Sequence, residues 1–91
     1  MPLYMLLCTD KPGALETRKA NRAAHLDYAE RTGCVVLGGP LLDDAGEMAG
    51  SLIIVEAPDI ASARAWSAAD PYAQAGLFED VRVQEWKRVV G

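Results

Sequence analysis

The chain has 91 residues, 51% hydrophobic and 24% charged, and its 13 acidic against 9 basic side chains give a net charge of −4. With a pI near 4.8 it offers no basic face to neutralise phosphates, which argues against nucleic acid as a partner. No apolar run reaches the roughly 18–20 residues that span a bilayer, and Met1-Pro2-Leu3-Tyr4 lacks the basic start of an export signal. The expectation is one cytoplasmic domain over residues 1–91 that touches neither nucleic acid nor membrane.

Leu3 to Thr9 is a short apolar run ended by Asp10-Lys11-Pro12-Gly13, which predicts a strand and a turn. From Ala14 to Thr32 the chain is rich in helix formers and free of Pro and Gly, and Gly33 supplies the stop of a helix of about five turns. Cys34 to Leu37 reads as a strand closed by Gly38-Gly39-Pro40, Asp43 to Gly46 as a turn, and Gly50 to Glu56 as a further strand. Pro58-Asp59 starts a second helix with Asp59 as N-cap, and this helix must stop near Ala69 because Asp70 precedes a proline. A single helical turn over Pro71 to Ala75 and a last strand from Phe78 to Val90 complete the chain. Cys8 and Cys34 lack ligand-like spacing and read as reduced, buried, small apolar residues.

The order β-α-β-β-α-β predicts an α+β, ferredoxin-like fold with a four-stranded antiparallel sheet and two helices on one face. LYMLLC and SLIIV are apolar at successive positions, so both of their faces ask for burial and they belong at the centre of the sheet. Two helices cover only one face. A second copy of the chain, packed through the open sheet face as a homodimer, is the expected cover.

His25 is the single histidine. At about 100° per residue the first helix aligns Leu15, Arg22 and Leu26 on one stripe, with Arg18, His25 and Ala29 along its edge. The core face is then built from Leu15, Leu26 and alanines, and His25 stands at its border, partly desolvated yet reachable. Asp70, directly before Pro71, is placed to cap the following turn. It is equally suited to accept a hydrogen bond from His25 and fix its tautomer, and sequence spacing does not choose between the two roles. Arg18 and Arg22 have the fork that clamps a ligand carboxylate, or they form surface pairs with Glu16, Glu30 or Asp10. Ser51 and Tyr72 are possible donors in a pocket, and Gly39 and Pro40 either admit a ligand to the backbone or end a strand. One histidine with no cluster of cysteines or carboxylates makes neither a metal site nor a cofactor expected.

In order, Thr9-Asp10-Lys11-Pro12-Gly13, Arg18, Arg22-Ala23-Ala24-His25-Leu26, Gly38-Gly39-Pro40, Gly50-Ser51 and Asp70-Pro71-Tyr72 with Ala75-Gly76-Leu77-Phe78-Glu79 resemble the YciI-like family. The resemblance implies a subunit of the dimeric α+β barrel type and an active site in which His25 and Asp70 sit together. It also implies kinship with a dehalogenase that acts on a chlorinated muconolactone. The resulting expectation is a cofactor-independent enzyme on a small anionic, lactone-like or cyclic-acid metabolite. His25 and Asp70 would be catalytic, and Arg22, Arg18, Ser51, Tyr72, Gly39 and Pro40 would bind substrate. The alternative is a ligand-binding module that does no chemistry, since a fold does not settle a function.

Overall fold

In the computed structural model, which describes residues 1–91, the first apolar run forms β1 (Leu3–Asp10). Its side chains alternate: Tyr4, Leu6, Cys8 and Asp10 are buried on one face, while Leu3, Met5 and Leu7 are half-buried on the other. The chain continues through α1 (Leu15–Thr32), β2 (Val35–Leu42), β3 (Met48–Glu56), α2 (Ile60–Ala69), the single turn α3 (Pro71–Gln74) and β4 (Phe78–Trp86). All strands pair antiparallel in the order β2-β3-β1-β4, so the two strands with unbroken apolar runs are the central ones. This is the ferredoxin-like arrangement expected from the sequence.

The core lies between the sheet and α2, where Tyr4, Leu6, Cys8, Ile53 and Val55 meet Ala57 and Ala63. The other sheet face carries Met5 opposite Ile54 and Leu7 opposite Leu52, and edge strand β2 extends it with Leu37 and Leu41. The last two remain 47% and 39% exposed, so this apolar face is uncovered in the single chain.

Four local expectations need correction. Gly38-Gly39-Pro40 does not end a strand; β2 runs through it to Leu42. Proline is tolerated there because β2 is an edge strand, with no partner awaiting an N–H on its outer side. The last strand stops at Trp86 instead of Val90, and Val89 and Val90 are exposed. Cys34 is only half-buried, because it sits in the connection between α1 and β2. Finally, α1 turns Arg18 and Tyr28 inward and leaves Leu26 47% exposed.

That rotation has a polar cause. Arg18 finds a buried carboxylate in Asp10, and Tyr28 packs against Trp66 with ring centroids 4.9 Å apart. The Tyr28 hydroxyl donates to the Trp66 carbonyl at 2.7 Å, and Trp66 Nε1 donates to Thr32 Oγ1 at 2.9 Å. These contacts fix α1 against α2 and so set the height of His25 relative to the end of α2. Gly33, at φ +69°, lets its N–H close on Ala29 and frees the chain to turn into β2.

Candidate active site

Asp70 adopts the extended conformation that a following proline imposes, which ends α2 and turns its carboxylate back over the next turn. There the Tyr72 backbone N–H donates to Oδ1 at 2.9 Å, as helix capping predicts. His25 Nδ1 lies 2.9 Å from both Oδ1 and Oδ2 of the same carboxylate. Capping and the pairing with His25 are therefore not alternatives; one carboxylate does both, with Asp70 only 1% exposed. An ionised carboxylate only accepts, so Nδ1 carries the proton of the neutral ring and Nε2 keeps its lone pair. The ring is further fixed by Tyr72, stacked on it at 4.0 Å between centroids with 14° between planes. Phe78 holds the edge of Tyr72 in turn.

Arg18 is 2% exposed and grips Asp10 with both arms, Nε to Oδ2 at 2.7 Å and Nη2 to Oδ1 at 2.8 Å. Nη2 also donates to Ser51 Oγ at 2.9 Å, and the guanidinium carbon sits 4.7 Å from the centroid of the Tyr72 ring. Among the partners open to Arg18 in the sequence, the structure selects Asp10, and the pair is buried instead of superficial. Burial works against the Arg18 charge, but the hydrogen bond and charge of Asp10 hold its affinity for the proton above the ordinary guanidinium value. Burial likewise raises the Tyr72 phenol above its usual range, against the pull of Arg18 and Arg22, so it stays protonated at neutral pH and able to donate.

His25, Tyr72, Arg18 and Ser51 line a cavity of about 140 Å³, whereas Asp70 stands behind His25 and does not line it. Gly38, Pro40, Ser51 and Ile53 form the strand side, and Arg22 and His25 descend from α1. Gly39 and Tyr72 also line it, as the sequence led one to expect. Arg22 is exposed at the mouth with no carboxylate in ion-pair range. Arg18 reaches the same cavity only with its charge already matched by Asp10. The pattern of residue types did not reveal Val35, Met48, Ile53 and Trp66, which give the cavity its apolar walls. Asp10 had a readable signal: strand alternation puts it on the buried face with Cys8, where a carboxylate needs a cation. No three His, Cys, Asp or Glu side chains cluster as a metal-ligand set.

The profile of the YCII-related domain matches residues 2–87. The chain belongs to the YCII-related, or YciI-like, family. Within that family it is 35% identical to Protein YciI of Escherichia coli O6:H1, an alignment covering 96% of this chain and 98% of the relative. A Haemophilus influenzae protein is 33% identical over 94% of this chain and 97% of its own length. Among solved structures, the 5-chloro-2-hydroxyhydroquinone dehydrochlorinase TftG of Burkholderia phenoliruptrix AC1100, in complex with 2,5-dihydroxybenzoquinone, superposes with a TM-score of 0.86. It is 35% identical, and the match covers 96% of this chain and 95% of TftG. An antibiotic biosynthesis monooxygenase at 14% identity and TM-score 0.61 shares the fold alone. The fold is thus that of the dimeric α+β barrel proteins, and the likeness to TftG supports a small-molecule catalytic role in the family.

Proposed function

We propose that this chain is a cofactor-independent enzyme that moves a proton on a small, anionic, single-ring substrate: a hydroxylated ring, a lactone or a cyclic acid. The observation that carries the reading is the His25 Nδ1–Asp70 contact of 2.9 Å at the wall of a cavity of ring size. A cavity of roughly 150 Å³ holds one benzene ring, so about 140 Å³ is room for one six-membered ring.

In the proposed reaction His25 Nε2 takes a proton from a ring hydroxyl or from a carbon next to a carbonyl. The electron pair moves through the ring, and either a halide leaves with a pair from a saturated ring carbon, which an aromatic substrate provides when its keto tautomer carries a proton on the halogen-bearing carbon, or the proton returns at another carbon. The first outcome is net loss of hydrogen halide and the second an isomerisation; neither needs an oxidant. Asp70 holds the ring tautomer and stabilises the charge that His25 gains, which supports general acid/base catalysis of about 10²–10⁴-fold. Arg22, the unpaired cation at the mouth, holds the substrate's anionic group, while Arg18 acts on the ligand only through Ser51 and Tyr72. The active unit is a homodimer in which a second copy covers the open sheet face.

The test is halide release from 5-chloro-2-hydroxyhydroquinone and related halogenated rings and lactones. His25→Gln and Asp70→Asn should lower turnover by at least about 10²-fold with the fold and assembly unchanged. Full activity in His25→Gln removes the histidine from the mechanism. Tight binding of such rings without turnover by the wild type leaves the binding-module reading in its place.

A further inference from the structure

The chain turns back at Gly33 between α1 and β2, so positions late in the helix stand level with positions early in the strand. The register of β2 on β3 then orders the cavity along its length: Pro40 opposite Ser51, Gly38 opposite Ile53, Val35 opposite Val55. The earlier helix residues belong to the Pro40–Ser51 end, with Arg18 bonded to Ser51 and Arg22 at the mouth. Ala29 belongs to the Gly38–Val35 end. Trp66 joins it there, tied through Nε1 to Thr32 Oγ1 at 2.9 Å and stacked beside Tyr28. His25 lies between the two ends, one helical turn before Ala29.

The two ends differ in what they can bond. All the charges and hydroxyls that line the cavity stand at or before the level of His25. Beyond it Ala29, Val35 and Ile53 carry no polar side-chain atom, and the single one of Trp66 is already given to Thr32. A hydroxyl or carboxylate placed there would leave water and find no partner, which costs binding. The same end is roomy because its walls carry little side chain. Ala29 contributes one carbon and Gly38 none. A Cβ at Gly38 would rest 3.5 Å from Ile53 Cγ1 and 3.4 Å from the Leu52 carbonyl oxygen, so the backbone does not require glycine here and its bareness is free space.

We propose that the end formed by Ala29, Val35, Ile53 and Trp66 is a seat for a nonpolar substituent on the ring, a halogen or a methyl group, and that Ala29 and Gly38 set the size it admits. The inference rests on the single-ring reading above and names the part of the substrate which that reading leaves open. With the ring's oxygen anion at Arg22 and the substituent in this seat, the ring lies along the cavity past His25 in one direction. The reverse direction puts oxygens against side chains that cannot hydrogen-bond and is disfavoured. The preferred ligand is therefore a ring that is polar at one end and apolar at the other, in preference to a bare polyhydroxylated ring.

The experiment titrates two probes by calorimetry under nitrogen: 2-hydroxyhydroquinone and its 5-methyl derivative. The methyl group matches chlorine in size and does not leave, so binding is read without turnover. Wild type should bind the methylated ring more tightly by about four-fold or more, the gain from burying one methyl group. Ala29→Val and Gly38→Ala each fill the seat from a different wall, and each should bring that ratio of affinities to one or below. If Ala29→Val does not fold, the ratio in Gly38→Ala decides. Equal binding of the two probes by wild type overturns this inference and leaves the proton-transfer reading standing, as does a ratio that neither variant moves. Failure of wild type to bind either probe overturns both the seat and the hydroxylated-ring reading on which it rests.

Discussion

Replacing Arg18 with methionine keeps the length and volume of the side chain but removes its charge from a site where it is 2% exposed. Three hydrogen bonds go with it, two to Asp10 and one to Ser51, at 2.7–2.9 Å. The larger effect falls on Asp10, which keeps a buried carboxylate without its cation. Breaking a buried pair by removing one partner costs about 3–5 kcal/mol. A domain of 91 residues has a total stability of about 5–14 kcal/mol, so Arg18→Met should remove about a fifth of it or more. With a urea slope of about 2 kcal/mol/M, the unfolding midpoint should fall by about 1.5–2.5 M. The assay is urea unfolding by circular dichroism at fixed protein concentration, since assembly would make stability concentration-dependent. The double variant Asp10→Asn/Arg18→Met should be more stable than Arg18→Met alone, because it no longer buries an unpaired charge. Loss of less than about 1 kcal/mol in Arg18→Met, or strict additivity in the double variant, would refute the buried pair.

Burial pushes the Cys8 thiol up to about 12, with the Asp70 charge as a further cause, from 9.0. The folded thiol then stays protonated while the unfolded one ionises, so the unfolded state binds fewer protons and stability falls as pH rises from about 9 toward 12. Urea unfolding at pH 8, 9 and 10 should show that decline, and Cys8→Ala should flatten it; an unchanged slope in Cys8→Ala would count against the burial. In the same protein at pH 8, a thiol reagent should label the half-buried Cys34 well before Cys8. Light scattering should give the mass of a dimer, and Leu37→Asp, which puts a charge on the open sheet face, should shift it toward the single-chain mass of 9.8 kDa. A wild-type single-chain mass at micromolar concentration would refute the homodimer.

Much of the site was legible because single residues there serve local rules. Asp70 before Pro71 was suited to cap a turn, and Gly33 to end α1. The family's ordered motifs paired His25 with Asp70 across 45 positions of sequence, a separation that no local rule bridges. What misled the helix reading was polarity. Periodicity puts Leu26 in the core and Arg18 only at its edge, whereas a buried carboxylate on β1 makes the guanidinium the better interior group at that place. The Gly38-Gly39-Pro40 phrase misled because a proline ends a strand only where a neighbouring strand needs its N–H, and β2 is an edge strand.

By itself, then, the sequence determined the order of elements, the central place of the two all-apolar strands, the caps and the open sheet face, because each follows from propensity, period or turn chemistry acting within a few residues. Only the tertiary structure decided which charges meet. It put Arg18 on Asp10 and Ser51, left Arg22 unpaired, and brought Asp70 against His25. Those are outcomes of distance and desolvation between residues far apart in the chain, and no period along the sequence carries them.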